Sequence, residues 1–198
     1  MARQVEQPGW WEEYRDDLPT WFALYVEPEA AARRISTYQP TVVDGLLQTT
    51  AYARAVFAAG HPAPSPAAVE RQVAIRLQRR RELLDRADPL RLDLVLCESV
   101  LQRAVGGPAV LAAQREHLRA MNAREGIDVR VLTFAVGAHP AVRSQFAILD
   151  LASEADPDVV YLESLQGGRY LEMPSDLERY RGVFARLREC ATPLEEYL

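Results

Sequence analysis

Two patterns divide this 198-residue sequence and predict an α+β fold. Up to about residue 90, apolar residues recur at helical spacing between Pro and Gly stops. Beyond it, short apolar runs of strand length alternate with helices. A third observation completes the class: Ser175, with Glu178 three residues on, has the capping-box pattern and predicts a C-terminal amphipathic helix through Leu187. The expected architecture is an N-terminal helical layer, then a small mixed β-sheet packed by helices, then that last helix. One domain is expected over residues 1–198, with a helical half at about 5–90 and a sheet-containing half at about 91–198.

The elements follow in order. Pro8-Gly9 precedes Trp10-Trp11-Glu12-Glu13-Tyr14, and Pro19-Thr20 precedes Trp21-Phe22-Ala23-Leu24-Tyr25; Pro is tolerated at a helix start because the first amides lack intrahelical partners. These aromatics either pack a core or wall a ligand pocket. After Glu29–Arg34 the chain is expected to become extended through Ile35–Tyr38, since the residue before Pro40 is pushed toward the β region. Thr49–Ala59 predicts a helix closed at Gly60. Pro62, Pro64 and Pro66 then make a rigid connection, and a long helix is expected from about Ala67 to Arg86. Leu92–Cys97 predicts a buried strand, Glu98–Val105 a short helix stopped by Gly106-Gly107, and Pro108–Arg124 another, closed by Gly126. Val129–Phe134, Phe146–Leu151 and Val159–Glu163 predict strands, and the turn Gln166–Arg169 leads into a last strand at Tyr170-Leu171-Glu172.

Composition narrows the function classes. The hydrophobic fraction of 48% and charged fraction of 26% suit a folded globular protein. A net charge of −5 argues against a general nucleic-acid binder. All 23 basic residues are Arg, which excludes Schiff-base chemistry on Lys. Cys97 and Cys190 match no zinc or redox spacing and read as thiols in a reducing compartment. No apolar run approaches 18 residues and no signal-peptide core opens the chain, so a cytoplasmic protein without membrane contact is expected.

The string Tyr38-Gln39-Pro40-Thr41-Val42-Val43-Asp44-Gly45-Leu46-Leu47-Gln48-Thr49, followed by Tyr52-Ala53-Arg54-Ala55, closely resembles a signature of one family. The likeness continues through Arg76–Leu83, Glu98–Gly107, Gln114–Leu118, Val131–His139, Val159–Glu163 and Tyr170. It is to the C-terminal effector domain of actinobacterial XRE-type helix-turn-helix regulators, the antitoxin-like and WhiJ-like group. The resemblance implies a ligand-sensing or partner-binding domain. A helix-turn-helix normally precedes it, and this chain is expected to lack one. The segment from Tyr52 to Val69 imitates helix-turn-helix spacing only faintly, because its three prolines make the turn too long and stiff. One departure stands out: Asp44 replaces the usual Pro before Gly45, and an exposed carboxylate there is expected to loosen the turn.

The candidate ligand-binding residues are Trp21, Tyr38, Gln48, Tyr52, Glu98, Arg103, His139, Tyr161 and Glu163, in a pocket between the helical layer and the sheet. Gln48 and Tyr52 sit four apart, on one helix face. Glu98, Glu163 and His139 all fall at strand ends. If their strands are neighbours, two carboxylates and an imidazole converge, and His139 with Glu98 would supply acid–base catalysis under an enzyme alternative: a cofactor-independent cyclase or isomerase of natural-product biosynthesis. The plainer use of these groups is structural hydrogen bonding, with Glu98 favouring the start of its helix. Arg76, Arg79, Arg80 and Arg81 cannot all share one helix face; a solvated face is expected, or docking of an acidic partner through Arg76, Arg79 and Arg80. No cofactor and no metal is expected, since no His or Cys spacing selects one. The expected partners are a small molecule or a small acidic protein, with no nucleic acid, in a homodimer.

Overall fold

The computed structural model describes residues 10, 12, 14, 20–153, 156–164 and 166–198, with backbone alone at 20–24. The expected Trp10–Tyr14 helix and the Trp21 side chain therefore lie largely outside the described residues. The chain is α+β, as predicted. Its order is α1 (Thr20–Ala31), β1 (Ala32–Gln39), α2 (Thr50–Ala58), α3 (Pro66–Leu84), β2 (Arg91–Cys97), α4 (Glu98–Gln102), α5 (Pro108–Asn122), β3 (Ile127–Leu132), β4 (Phe146–Leu151), β5 (Val159–Ser164), β6 (Gly167–Leu171), α6 (Pro174–Cys190), β7 (Thr192–Pro193) and α7 (Leu194–Tyr197).

Local chemistry sets most of these boundaries. Thr49 caps α2 by accepting from the Tyr52 amide at 3.2 Å. Ser65 caps α3 in the same way from Ala68, with Pro66 in the first turn. Gly107, at φ 98°, turns the chain into Pro108 and α5. At α6 the expectation fails. Met173 occupies the cap position and no side chain caps it, so Ser175 lies inside the helix and no Ser175–Glu178 box forms. Pro174, with its fixed φ and no amide to satisfy, starts the helix two residues earlier than a Ser175 cap would, and the helix runs on to Cys190.

The seven strands form one mixed sheet in the order β6-β5-β4-β1-β2-β3-β7. β1, β2 and β3 are parallel, connected through α2–α3 and through α4–α5; β4, β5 and β6 continue the other side as an antiparallel meander. The helical half thus contributes the central strand: β1 begins at Ala32, earlier than the Pro40 argument alone predicted. Side chains alternate between two apolar layers. Ile35, Leu92, Leu94, Leu96, Val129 and Leu149 face the layer of α1–α5 and α7. Tyr38, Val95, Leu132, Phe146, Ile148 and Val160 face α6, through Leu177, Phe184 and Leu187. Near-continuous burial along β2 follows from this coverage on both sides. Among the described residues, no helix is long and apolar enough to cross a membrane.

Candidate functional site

The connection from β1 to α2 is irregular but fully bonded. Asp44 Oδ1 accepts from the Leu46 amide at 2.9 Å and Oδ2 accepts from Gln39 Nε2 at 3.2 Å. Asp44 therefore caps the short 3-10 turn Gly45–Leu47 and tightens it. This overturns the expectation of a loosened turn: the carboxylate is half-buried and supplies the acceptor that Pro would lack. Gln48 Nε2 donates to the Val43 carbonyl at 2.6 Å, and Tyr52 Oη accepts from the Val43 amide at 3.3 Å. From α5, Gln114 accepts from the Thr49 amide and donates to the Leu47 carbonyl, both at 2.7 Å. Ser99 Oγ holds the Pro40 carbonyl at 2.8 Å. A loop so thoroughly bonded is a preformed wall.

That wall closes one side of a cavity of about 640 Å³. The other sides come from Tyr25 on α1, Val56 and Phe57 on α2, Ile75, Arg76 and Arg79 on α3, Ala147 on β4, and Tyr161 and Glu163 on β5. Gly45 brings backbone against the two guanidiniums. A Cβ there would lie 3.2 Å from Arg79 Nη1, a tight contact from which the guanidinium would have to shift by a few tenths of an ångström, and 3.5 Å from Arg76 Nε, an ordinary contact.

The two arginines differ sharply. Arg79 is 5% exposed and grips Glu29, itself 1% exposed, through Nε–Oε2 at 2.5 Å and Nη2–Oε1 at 2.8 Å. Burial lowers the affinity of Arg79 for its proton, but Glu29 outweighs burial and holds the guanidinium charged. Burial pushes the Glu29 carboxyl upward against the pull of Arg79. Arg76 donates from Nη1 to Gln48 Oε1 at 2.5 Å and lies 4.2 Å from the Phe57 ring centroid. No carboxylate of the described residues stands within ion-pair distance of it. Desolvation first, and repulsion from Arg79 second, bring its pKa down to about 10.

Two further groups border the cavity. Glu163 stands at its exposed rim beside Gln145 Nε2, 3.3 Å away. Desolvation raises its carboxyl, partly offset by Arg76 and Arg79. The Tyr161 ring is buried between Tyr25 and Tyr170, with centroids 4.4 and 5.2 Å away. Neither Tyr161 Oη nor Tyr170 Oη has a hydrogen-bond partner among the described residues. Burial raises both phenols, Tyr170 to about 12 and Tyr161 further. Gly168 is needed beside this ring, since a Cβ would fall 2.3 Å from Tyr161 Cε2.

Of the residues expected in the pocket, the cavity gathers Gln48, Tyr161 and Glu163. Tyr52 is wholly buried behind the loop that its hydroxyl braces. Tyr38 faces the opposite side of the sheet, with its Oη 3.4 Å from His139 Nε2, and Arg103 is exposed away from the cavity. Burial raises Tyr38 to about 12 and lowers His139. Glu98 accepts from the Phe134 amide at 2.6 Å and from Gln102, tying the ends of β2 and β3 together. The convergence of Glu98, Glu163 and His139 does not occur. β4 and β1 lie between β5 and β2, so three strand spacings, roughly 14 Å, separate the two carboxylate-bearing strands.

The reading of α3 as a solvated or docking face is also corrected. Arg79 is buried and Arg76 lines the cavity; Arg80 is half-buried, its Nη1 3.5 Å from the Gln48 carbonyl, and only Arg81 of the four is exposed. The signal was present in the spacing, because Arg76, Arg79 and Leu83 continue the stripe of Val69 and Val73. Glu29, fifty residues upstream of Arg79, had no local signal at all. No group of three His, Cys, Asp or Glu side chains among the described residues is arranged to hold a metal.

Residues 22–196 match the model of a family described as a domain of unknown function, DUF5753. The chain belongs to that family. No curated protein matches it.

Proposed function

We propose that this chain is a ligand-sensing domain, and that its cavity receives a small molecule. The observation that carries the reading is the cavity itself. Its volume of about 640 Å³ falls in the range of small-molecule sites. Its walls are apolar at Val56, Phe57, Ile75 and Ala147, while a few polar groups converge at Gln48, Arg76 and Tyr161. The resemblance to effector domains of helix-turn-helix regulators supports the same reading from the sequence. α2, α3 and the 40–48 loop form most of one wall. A ligand that prefers one arrangement of these three over another would shift their population, and that shift would be the signal.

The test is direct. Native mass spectrometry of purified protein is expected to reveal a bound small molecule or, after extraction, an empty site that a screened compound refills with a rise in Tm. Ala147→Trp, which fills the cavity from β4, should abolish that uptake while the protein remains folded. Unchanged uptake in the filled variant would overturn the reading.

A second reading, acid–base catalysis in the same cavity, is favoured by one observation: Glu163 borders it with a carboxyl raised by desolvation. Its experimental mark would be turnover of the bound molecule that disappears in Glu163→Gln.

A further inference from the structure

The cavity holds a charge that no carboxylate among the described residues neutralises by contact. Arg76 presents five N–H donors, of which the described residues engage one, through Gln48. Phe57 covers a face of the guanidinium, and the Gly45 backbone lies near its Nε edge. Asp44 and Glu163 act on it through space without forming an ion pair. The neighbouring Arg79 shows what the same helix does when a structural partner is supplied: a buried, two-pronged ion pair with Glu29. Burying a cation without such a partner is costly, and the cost is tolerated at functional sites more often than in cores.

A second feature points the same way. Tyr161 is 6% exposed, its ring lines the cavity, and its hydroxyl has no partner among the described residues. Buried hydroxyls are nearly always bonded. The cavity is therefore bordered by one under-satisfied cation and one unbonded phenol, on walls that are otherwise apolar.

We propose that the ligand is a small monocarboxylic acid with an apolar or aromatic body, its carboxylate paired with Arg76 and its body against Phe57, Val56 and the Tyr25–Tyr161 wall. The inference rests on the ligand-sensing reading and specifies it. A carboxylate fits the planar fork of a guanidinium. A dianionic phosphate fits less well, because Glu29, Asp44 and Glu163 already place three carboxylates around two guanidiniums.

The experiment measures Kd by calorimetry for decanoate, 1-naphthoate and indole-3-acetate, each beside its primary amide, with 1-naphthyl phosphate as a further arm. Carboxylates are expected to bind at least tenfold tighter than their amides, about 1.4 kcal/mol. Arg76→Gln should erase that ratio, Arg76→Lys should keep part of it, and Arg81→Gln, an exposed change on the same helix, should leave it intact. Arg76→Gln removes a half-buried charge that has no carboxylate among the described residues within ion-pair distance, so its Tm should equal or exceed that of the wild type, which separates lost recognition from lost folding. Carboxylates and amides of equal affinity, displaced together by Ala147→Trp, would overturn the acid while sparing the cavity. Tighter binding of the phosphate would overturn the choice of carboxylate. If no probe binds and the protein instead carries or takes up an uncharged or cationic molecule, the acid falls and the cavity reading stands; if no small molecule of any kind is carried or taken up, both fall. If a peptide or protein instead co-purifies through Arg76, the small acid is refuted.

Discussion

The sheet carries arginines and acids on both faces, and the two faces treat them differently. Toward α6, the acids of the central strands are paired. Arg34 and Arg188 both hold Asp93, Arg188 and Arg130 both hold Asp128, and Arg181 joins Asp150 to Asp158. These pairs edge a filled layer in which Phe146 meets Tyr180 and Phe184 edge-on, with centroids 5.0 and 6.4 Å away. Toward α1–α3, an ion pair is buried outright, a second arginine has no carboxylate among the described residues within ion-pair distance, and a cavity of about 640 Å³ lies beside them. The contrast separates two uses of one residue type. Arginine at the wet edge of a packed layer fastens a helix, whereas the arginine beside the open cavity is the one that the proposed ligand would engage.

The largest effect should come from the buried pair. Glu29→Ala takes the carboxylate away from Arg79 and leaves two neighbouring guanidiniums buried together. Unfolding in urea should show a loss of about 3–5 kcal/mol, the usual consequence of stranding a buried charge. Replacing both residues with Leu should recover most of that loss. A penalty under about 1 kcal/mol for Glu29→Ala would mean that the cavity face is no more demanding of internal compensation than a surface.

Packing offers the next contrast. Ala191 is 8% exposed in the α6 layer and Ala147 is 7% exposed beside the cavity. Ala191→Leu has no room to grow and is expected to cost about 1–3 kcal/mol, while Ala147→Leu, with open volume beside it, should cost under about 1 kcal/mol. Similar costs at the two positions, read from the same denaturation curves, would show that the cavity closes in solution.

The same division explains what was legible in the sequence. Periodicity and turn chemistry are local, and they located helices α2 to α6 and the strands β2 to β6, but not the short β7 and α7 at the C-terminal end. The placement of β1 at the sheet centre depends on strands that arrive more than fifty residues later, so only its extended character could be read. Among site residues, Gln48, Tyr161 and Glu163 were accessible as polar groups beside structural punctuation. Tyr38 and Tyr161 look alike in sequence. They separate onto opposite faces because pairing register, a long-range property, fixes which side each strand residue faces. Arg76 and Arg79 were misread for a related reason. Four arginines in six positions resemble a solvated face until a buried acid from α1, fifty residues away, reveals which of them turn inward.

A smaller effect belongs to the α6 edge. Arg188 is 30% exposed in its side chain and bridges Asp93 and Asp128. Arg188→Met should cost about 1 kcal/mol at low ionic strength and less in 0.5 M salt, since partly exposed pairs are weak and screened, and Arg34 continues to hold Asp93. A loss that ignores salt would mark the network as a buried device like Glu29–Arg79, and the distinction between the faces would narrow.

The smallest expected effect is the most diagnostic of the cavity. Desolvation raises the Glu163 carboxyl in the folded protein, so over the window from the ordinary carboxylate range up to that raised value the folded state binds more protons than the unfolded one. Its favourable contribution is complete below the unfolded pKa and is lost as pH rises through the folded one. Gln mimics the protonated acid; Glu163→Gln should therefore match the wild type in Tm at pH 4 and exceed it slightly at pH 8, by under about 0.5 kcal/mol at this exposed rim. A variant less stable than wild type at pH 8 would carry the opposite lesson: attraction to Arg76 and Arg79 would then outweigh burial. Glu163 would in that case be the missing counter-ion, and Arg76 would need no acid from outside.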